Sequence, residues 1–250
     1  MKKQIVTILA LAAMTISCKE KQNSENEVAD ETSMTTTTEE SQDAEWTTLF
    51  DGENMDQWHS YNGDSISSQW QIEGDALVLT PAEGREHAEN LVSNEDYTDF
   101  ILSLDWKISE AGNSGIMWGV KEDEKYHEPY LTGPEIQIID NERHPDAKNG
   151  KSHQSGALYD MLPPTEDVAK PAGEWNTCVI KIDHANNEGS VTLNGVQVVE
   201  FPVEGNEWNT MVSNSKFADW EAFGKAQTGA IALQDHGNQV SFKNIKIKKL

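Results

Sequence analysis

Positive charge is scarce in this chain. Only 19 Lys and Arg stand against 43 Asp and Glu, for a formal net charge of −24. That balance excludes a nucleic-acid partner and adsorption to anionic lipid by charge. Cysteine is nearly absent too. Cys18 and Cys178 are far apart, and no C-x-x-C occurs, which removes the usual thiol redox and zinc motifs. There is also no phosphate-cradling glycine loop and no nucleophile elbow. No long amphipathic helical pattern and no internal repeat is visible.

The apolar run that begins the chain, after Lys2 and Lys3, is too short to cross a membrane and fits the core of a signal peptide. It ends in Thr15-Ile16-Ser17-Cys18, which resembles a lipobox. A lipidated Cys18 would anchor an exported protein to the bacterial cell envelope without a spanning helix. The alternative is a plain secretory signal with a coincidental cysteine. With Cys18 lipidated, no disulfide remains within the mature chain. Cys178 lies in a strand pattern and reads as a small buried hydrophobe. The expected organisation is a signal peptide over 1–17, a lipidated cysteine and disordered acidic linker over 18–45, and a folded domain over 46–250. The linker has almost nothing apolar to bury.

From Trp46 onward, short alternating runs are punctuated by Gly, Asn and Asp. Strands are expected over 69–80, 99–109, 114–120, 135–140, 176–183, 189–201, 229–235 and 239–250. Asn194-Gly195 between two alternating runs is a hairpin signal. This pattern predicts an all-β sandwich or barrel. Residues 213–226 read as a short helix or a loop over the sheet. The eight Trp residues suit both a sandwich core and a platform for sugar faces.

The segment Thr132–Tyr159, TGPEIQIIDNERHPDAKNGKSHQSGALY, holds the most chemistry. Alternation sends Glu135, Gln137 and Ile139 to one face of a strand. Two of these three are polar, which marks either the floor of a polar cleft or a half-exposed strand with one face in water.

The ordered set LFDG, NSGI, GPEIQIID, GALYD, GEWN, LNG, SKF, GAIALQDHG and FKNIKIKKL resembles the 3-keto-disaccharide hydrolase domain family. The resemblance covers residues 46–250. It implies a concanavalin-A-like jelly-roll sandwich of two antiparallel sheets, with the ligand cleft on the concave one. It also implies hydrolysis of glycosides already oxidised at sugar C3, beside a separate sugar 3-oxidoreductase. Many relatives carry an arginine a little beyond NSGI; NSGIMWGVKED has none, a departure that points to a different sugar pocket.

An ordinary retaining glucanase of this architecture carries alternating acids on one strand, and none is present here. Glu135 and Asp140 are five apart and fall on opposite faces. A 3-keto sugar needs a base near C2, a donor for the enolate oxygen and an acid for the leaving group. Glu135, His236, Asp140 and Lys216 are the candidate catalytic residues. Asn113, Gln137, Trp118, His153, Tyr159 and Asp235 are candidates for substrate binding. Each has a plainer alternative: a paired carboxylate, a turn residue, a solvated lysine or core packing. No cofactor is expected. A divalent metal stays open, although His144, Asp146 and His153 fit no standard ligand spacing. The competing reading is a lectin-like module that binds carbohydrate without chemistry.

Overall fold

The computed structural model describes residues 45–250; the expected signal peptide, Cys18 and the linker, Glu45 aside, lie outside the described residues. Along the chain run β1 (Thr47–Phe50), β2 (Trp58–Ser60), β3 (Trp70–Glu73), β4 (Ala76–Leu79), β5 (Leu91–Ser93), β6 (Phe100–Ile108) and β7 (Asn113–Val120). They are followed by β8 (Glu135–Ile139), β9 (Asn176–Asp183), β10 (Glu188–Leu193), β11 (Val196–Phe201), α1 (Gly205–Ser213), β12 (Ala230–Leu233) and β13 (Val240–Lys249).

The strands form two antiparallel sheets. The larger has the order β11-β10-β9-β6-β13-β4-β3, with β1 also on β13. The smaller has the order β2-β5-β12-β7-β8. This is an all-β sandwich, one of the two architectures that the strand pattern predicts, and it is the jelly-roll sandwich that the family resemblance implies. Each run expected as a strand holds one, and 69–80 and 189–201 each hold a hairpin. Leu193 pairs with Val196 across Asn194 and Gly195, whose φ values of 51° and 85° are the left-handed pair a two-residue hairpin demands. β1, β2 and β5 are too short to show a period. The helix lies at 205–213, mostly before the stretch expected to be a short helix or a loop; residues 214–226 run on as turns, the second of those two readings.

Alternation explains the layers. In β6 buried and half-buried residues alternate strictly. Phe100, Leu102 and Leu104 pair with Ile182, Ile180 and Cys178 of β9 on the inner face. From the smaller sheet Ile116, Trp118, Ile136, Ile138, Ile231 and Leu233 close the same core. Burying each such side chain stabilises by about 1.5–3 kcal/mol. Cys178 is free and buried, and burial pushes its thiol up to about 12, so it packs as a small apolar residue.

β7 and β8 are buried on both faces. Their outer face is covered by the loops that build the site. β8 ends its sheet, and residues 155–159 run along its free side. Gln137 N donates to Ala157 O, Gly156 N to Gln137 O and Tyr159 N to Glu135 O, at 2.9–3.1 Å. The Ser155 hydroxyl donates to Ile139 O at 2.7 Å. This irregular segment delivers Tyr159 beside Glu135.

Candidate active site

The parity of β8 puts Glu135 and Gln137 on the outer face, and register does the rest. Met117 pairs with Glu135, Gly115 with Gln137 and Asn113 with Ile139. Gln234 N donates to Gly115 O from the adjacent strand. These polar side chains form the floor of a cavity of about 340 Å³. Tyr159, Lys216 and His236 line its sides, and Tyr130, Phe217 and Trp220 add an aromatic wall.

Glu135 is the only carboxyl group among the lining residues. The residue is 7% exposed, and its carboxyl has no hydrogen-bond partner among the described residues. Burial pushes its pKa up to about 8; Lys216 opposes that rise and the charge of Asp146 adds to it. A carboxyl poised there exchanges protons near neutral pH. Burial, with the neighbouring His144, lowers the pKa of His236, which favours its neutral imidazole. The Lys216 ammonium lies 4.1 Å from the centre of the Tyr159 ring. The Tyr159 hydroxyl donates to Asp146 Oδ2 at 2.9 Å. Burial first, then that bond, raises its pKa and keeps it a donor.

Three amides complete the floor. Asn113, Gln137 and Gln234 are 3%, 1% and 5% exposed, yet Asn113 Oδ1, Gln137 Oε1 and Gln234 Oε1 have no partner among the described residues. A buried polar group left unpaired costs about 1–3 kcal/mol. Three on one wall make a surface shaped for a ligand rich in hydroxyl groups.

The structure brings together Glu135, His236, Lys216, Asn113, Gln137 and Tyr159. Four other expected residues it places elsewhere. Asp140 does not line the cavity: its carboxylate accepts from the backbone N–H groups of Ala111, Glu142 and Arg143 and pairs with the Arg143 side chain. It caps a loop. Trp118 faces the core, 5.8 Å from the ring of Phe201, because its parity on β7 is opposite to that of Asn113. Asp235 is turned inward, where it pairs with Arg85 and accepts from Glu89 N and Gly237 N. His153 is bound between two carboxylates behind Tyr159. Tyr130, Phe217, Trp220 and Gln234 are lining residues that sequence reasoning missed. Gln234 had a signal, two positions before His236 on the same parity. His144, Asp146 and His153 do not converge as metal ligands; among the described residues no three His, Cys, Asp or Glu do.

Residues 45–248 match the model of the 3-keto-alpha-glucoside-1,2-lyase-like domain. The chain belongs to that family. It is 35% identical to a 3-keto-disaccharide hydrolase of Bacteroides thetaiotaomicron over 229 aligned residues, covering 81% of this chain and 78% of that protein. Among solved structures, a protein of Parabacteroides distasonis provisionally named a glycosyl hydrolase superposes with a TM-score of 0.76 at 31% identity, covering 82% of this chain and 94% of the other. A second provisionally named glycosyl hydrolase from that organism gives 0.61 at 27% identity, over 82% and 100%.

Proposed function

We propose that this protein is a glycoside hydrolase acting on 3-keto-glycosides by elimination and hydration. The observation that supports this most is the single buried Glu135 carboxyl on a floor of unpaired amides, with no second carboxyl in the cavity. Double displacement needs two such groups, so this arrangement does not suit an unoxidised glycoside. A ketone at C3 acidifies the hydrogen at C2. Glu135, ionised, takes that proton, and the electron pair moves into an enolate whose oxygen faces the Lys216 ammonium. The C1–oxygen bond then breaks and Glu135 passes its proton to the departing aglycone oxygen. Water adds to C1 of the resulting enone; neutral His236 takes one of its protons, which ends on C2. The sum is hydrolysis. Asn113, Gln137 and Gln234 hold the sugar hydroxyls. An envelope anchor at Cys18 and supply of the ketone by a separate oxidoreductase belong to the same proposal.

Matched 3-keto and unoxidised glucosides, with aglycone release followed, test it. Release from the keto form alone is expected. Equal release from both indicates an ordinary glycosidase. Sugar binding without release from either indicates a lectin-like module. His236→Ala is expected to lower kcat by about 10²–10³-fold, within the usual range for a lost acid–base group. A deuterium label at C2 should still wash out in that variant, because its defect lies in hydration. Retention of label there would move His236 to the first proton transfer.

A further inference from the structure

His153 does not itself line the cavity, but its ring packs edge to face on that of Tyr159, 4.9 Å between centroids, and through Asp146 and Asp160 it is joined to two residues that do line it. Its ring is held on both sides. Nδ1 lies 3.1 Å from each Asp146 oxygen, and Nε2 lies 3.0 Å from Asp160 Oδ1. Ionised carboxylates only accept, so the ring makes both contacts when both nitrogens carry hydrogen. Each carboxylate has a second task. Asp146 Oδ2 accepts from the Tyr159 hydroxyl at 2.9 Å. Asp160 Oδ2 accepts from the Lys216 backbone N–H at 2.7 Å. Asp160 holds a left-handed φ of 58°, a conformation that costs most residues energy and that Asp and Asn tolerate best. The two arms therefore end at Tyr159 and at the backbone of Lys216, whose ammonium lies over the Tyr159 ring.

We propose that His153 is a positioning residue, a hydrogen-bonded clamp between Asp146 and Asp160 that fixes Lys216 against Tyr159 and so beside Glu135. Residues 214–226, which carry Lys216, cross the cavity without regular structure. The Asp160 bond is the tie that sets the height of Lys216 above β8. Placement matters more here than affinity, because a cation displaced by about 1 Å from developing charge costs about 10²-fold in rate. The kinetic half of this inference rests on the hydrolase reading; the structural half does not.

The test has two arms. Reductive ¹³C-methylation of the lysines, with the Lys216 signal identified by its loss in Lys216→Arg, reports whether the ammonium sits over an aromatic ring. An upfield signal is expected in the unmutated protein. His153→Gln should return it towards the position of exposed lysines. Asp160→Asn should do the same, and asparagine suits the left-handed backbone if the histidine variant folds poorly. In the kinetic arm, His153→Gln should lower kcat about 10²-fold with little change in KM. That loss should vanish in a Lys216→Met background, since the clamp acts through Lys216. An upfield signal unchanged in both variants overturns the proposal, whatever the substrate. Additive losses in the double variant overturn it equally. Absence of keto-glycoside turnover in the unmutated protein would sink the functional reading alone and leave the methyl signal to judge the clamp.

Discussion

Glu135→Gln is expected to lower turnover by about 10²–10⁴-fold, the contribution of a positioned acid–base group, and to raise thermal stability at the same time. The two effects have one cause. Burial moves the folded-state pKa of Glu135 up to about 8, against about 4.3 for a solvated glutamate. Below the lower value both folded and unfolded chains carry the proton, and the carboxyl contributes nothing to pH dependence. Between the two values the unfolded chain ionises while the folded one resists, so stability falls as pH rises. Above pH 8 both are ionised and the full cost is present. Each unit of separation corresponds to about 1.4 kcal/mol, so the total is on the order of a few kcal/mol. Glutamine does not ionise. Melting curves of the two proteins should therefore lie close together near pH 4 and diverge steadily up to pH 8, with the variant more stable. A variant that is inactive but no more stable at pH 8 than the unmutated protein would show that Glu135 does not carry the buried proton.

Gly115→Ala should be nearly as damaging to activity, although alanine is the smallest possible change. Gly115 lies on β7 opposite Gln137. A Cβ there meets the Glu135 side chain, 2.7 Å from its Cγ and 2.6 Å from its Cδ. The strand backbone cannot yield without breaking its register with β8 and β12, so the carboxyl must move. Misplacing the proton acceptor by about 1 Å costs about 10²-fold in kcat/KM. Overpacking adds a stability loss of about 1–3 kcal/mol. The same alanine introduced beside Glu135→Ala should cost little stability, because its obstacle has gone. Equal stability losses in both backgrounds would mean that the methyl collides with something other than Glu135.

Much of this site was legible as strand parity. Glu135 and Gln137 stand two apart, and Asn113 lies on the neighbouring strand with Met117 as its same-face companion four residues on. The same rule separates Trp118 from Asn113, since an odd spacing sends side chains to opposite faces. β7 conceals this, because both of its faces are buried and burial on the cavity side leaves no polar alternation to read. In LQDHG the rule selects Gln234 and His236 and sets Asp235 aside. The loops offered no such rule. His153 and Tyr159 share a short segment and pack ring against ring, yet one is held between two carboxylates and the other lines the cavity, and only the fold of that segment decides which. The aromatic wall joins Tyr130 to Phe217 and Trp220, which come from a segment distant from it in sequence, and the two segments meet without a period. Asp140 was misread for a different reason: a carboxylate at a strand end is as apt to collect backbone N–H groups as to do chemistry, and here it collects three.

Residues 155–159 occupy the otherwise open side of β8, which is the last strand of its sheet. An uncovered edge there would offer its amides and carbonyls to any passing strand, the ordinary route to aggregation. The segment that presents Tyr159 to the cavity is thus also the guard of the sheet border. Protection of the sheet border and the lining of the cavity are inherited together in this stretch. A loop exchange meant to change which sugar is accepted carries a risk of precipitation that a change at Trp220, another residue of the cavity lining, does not.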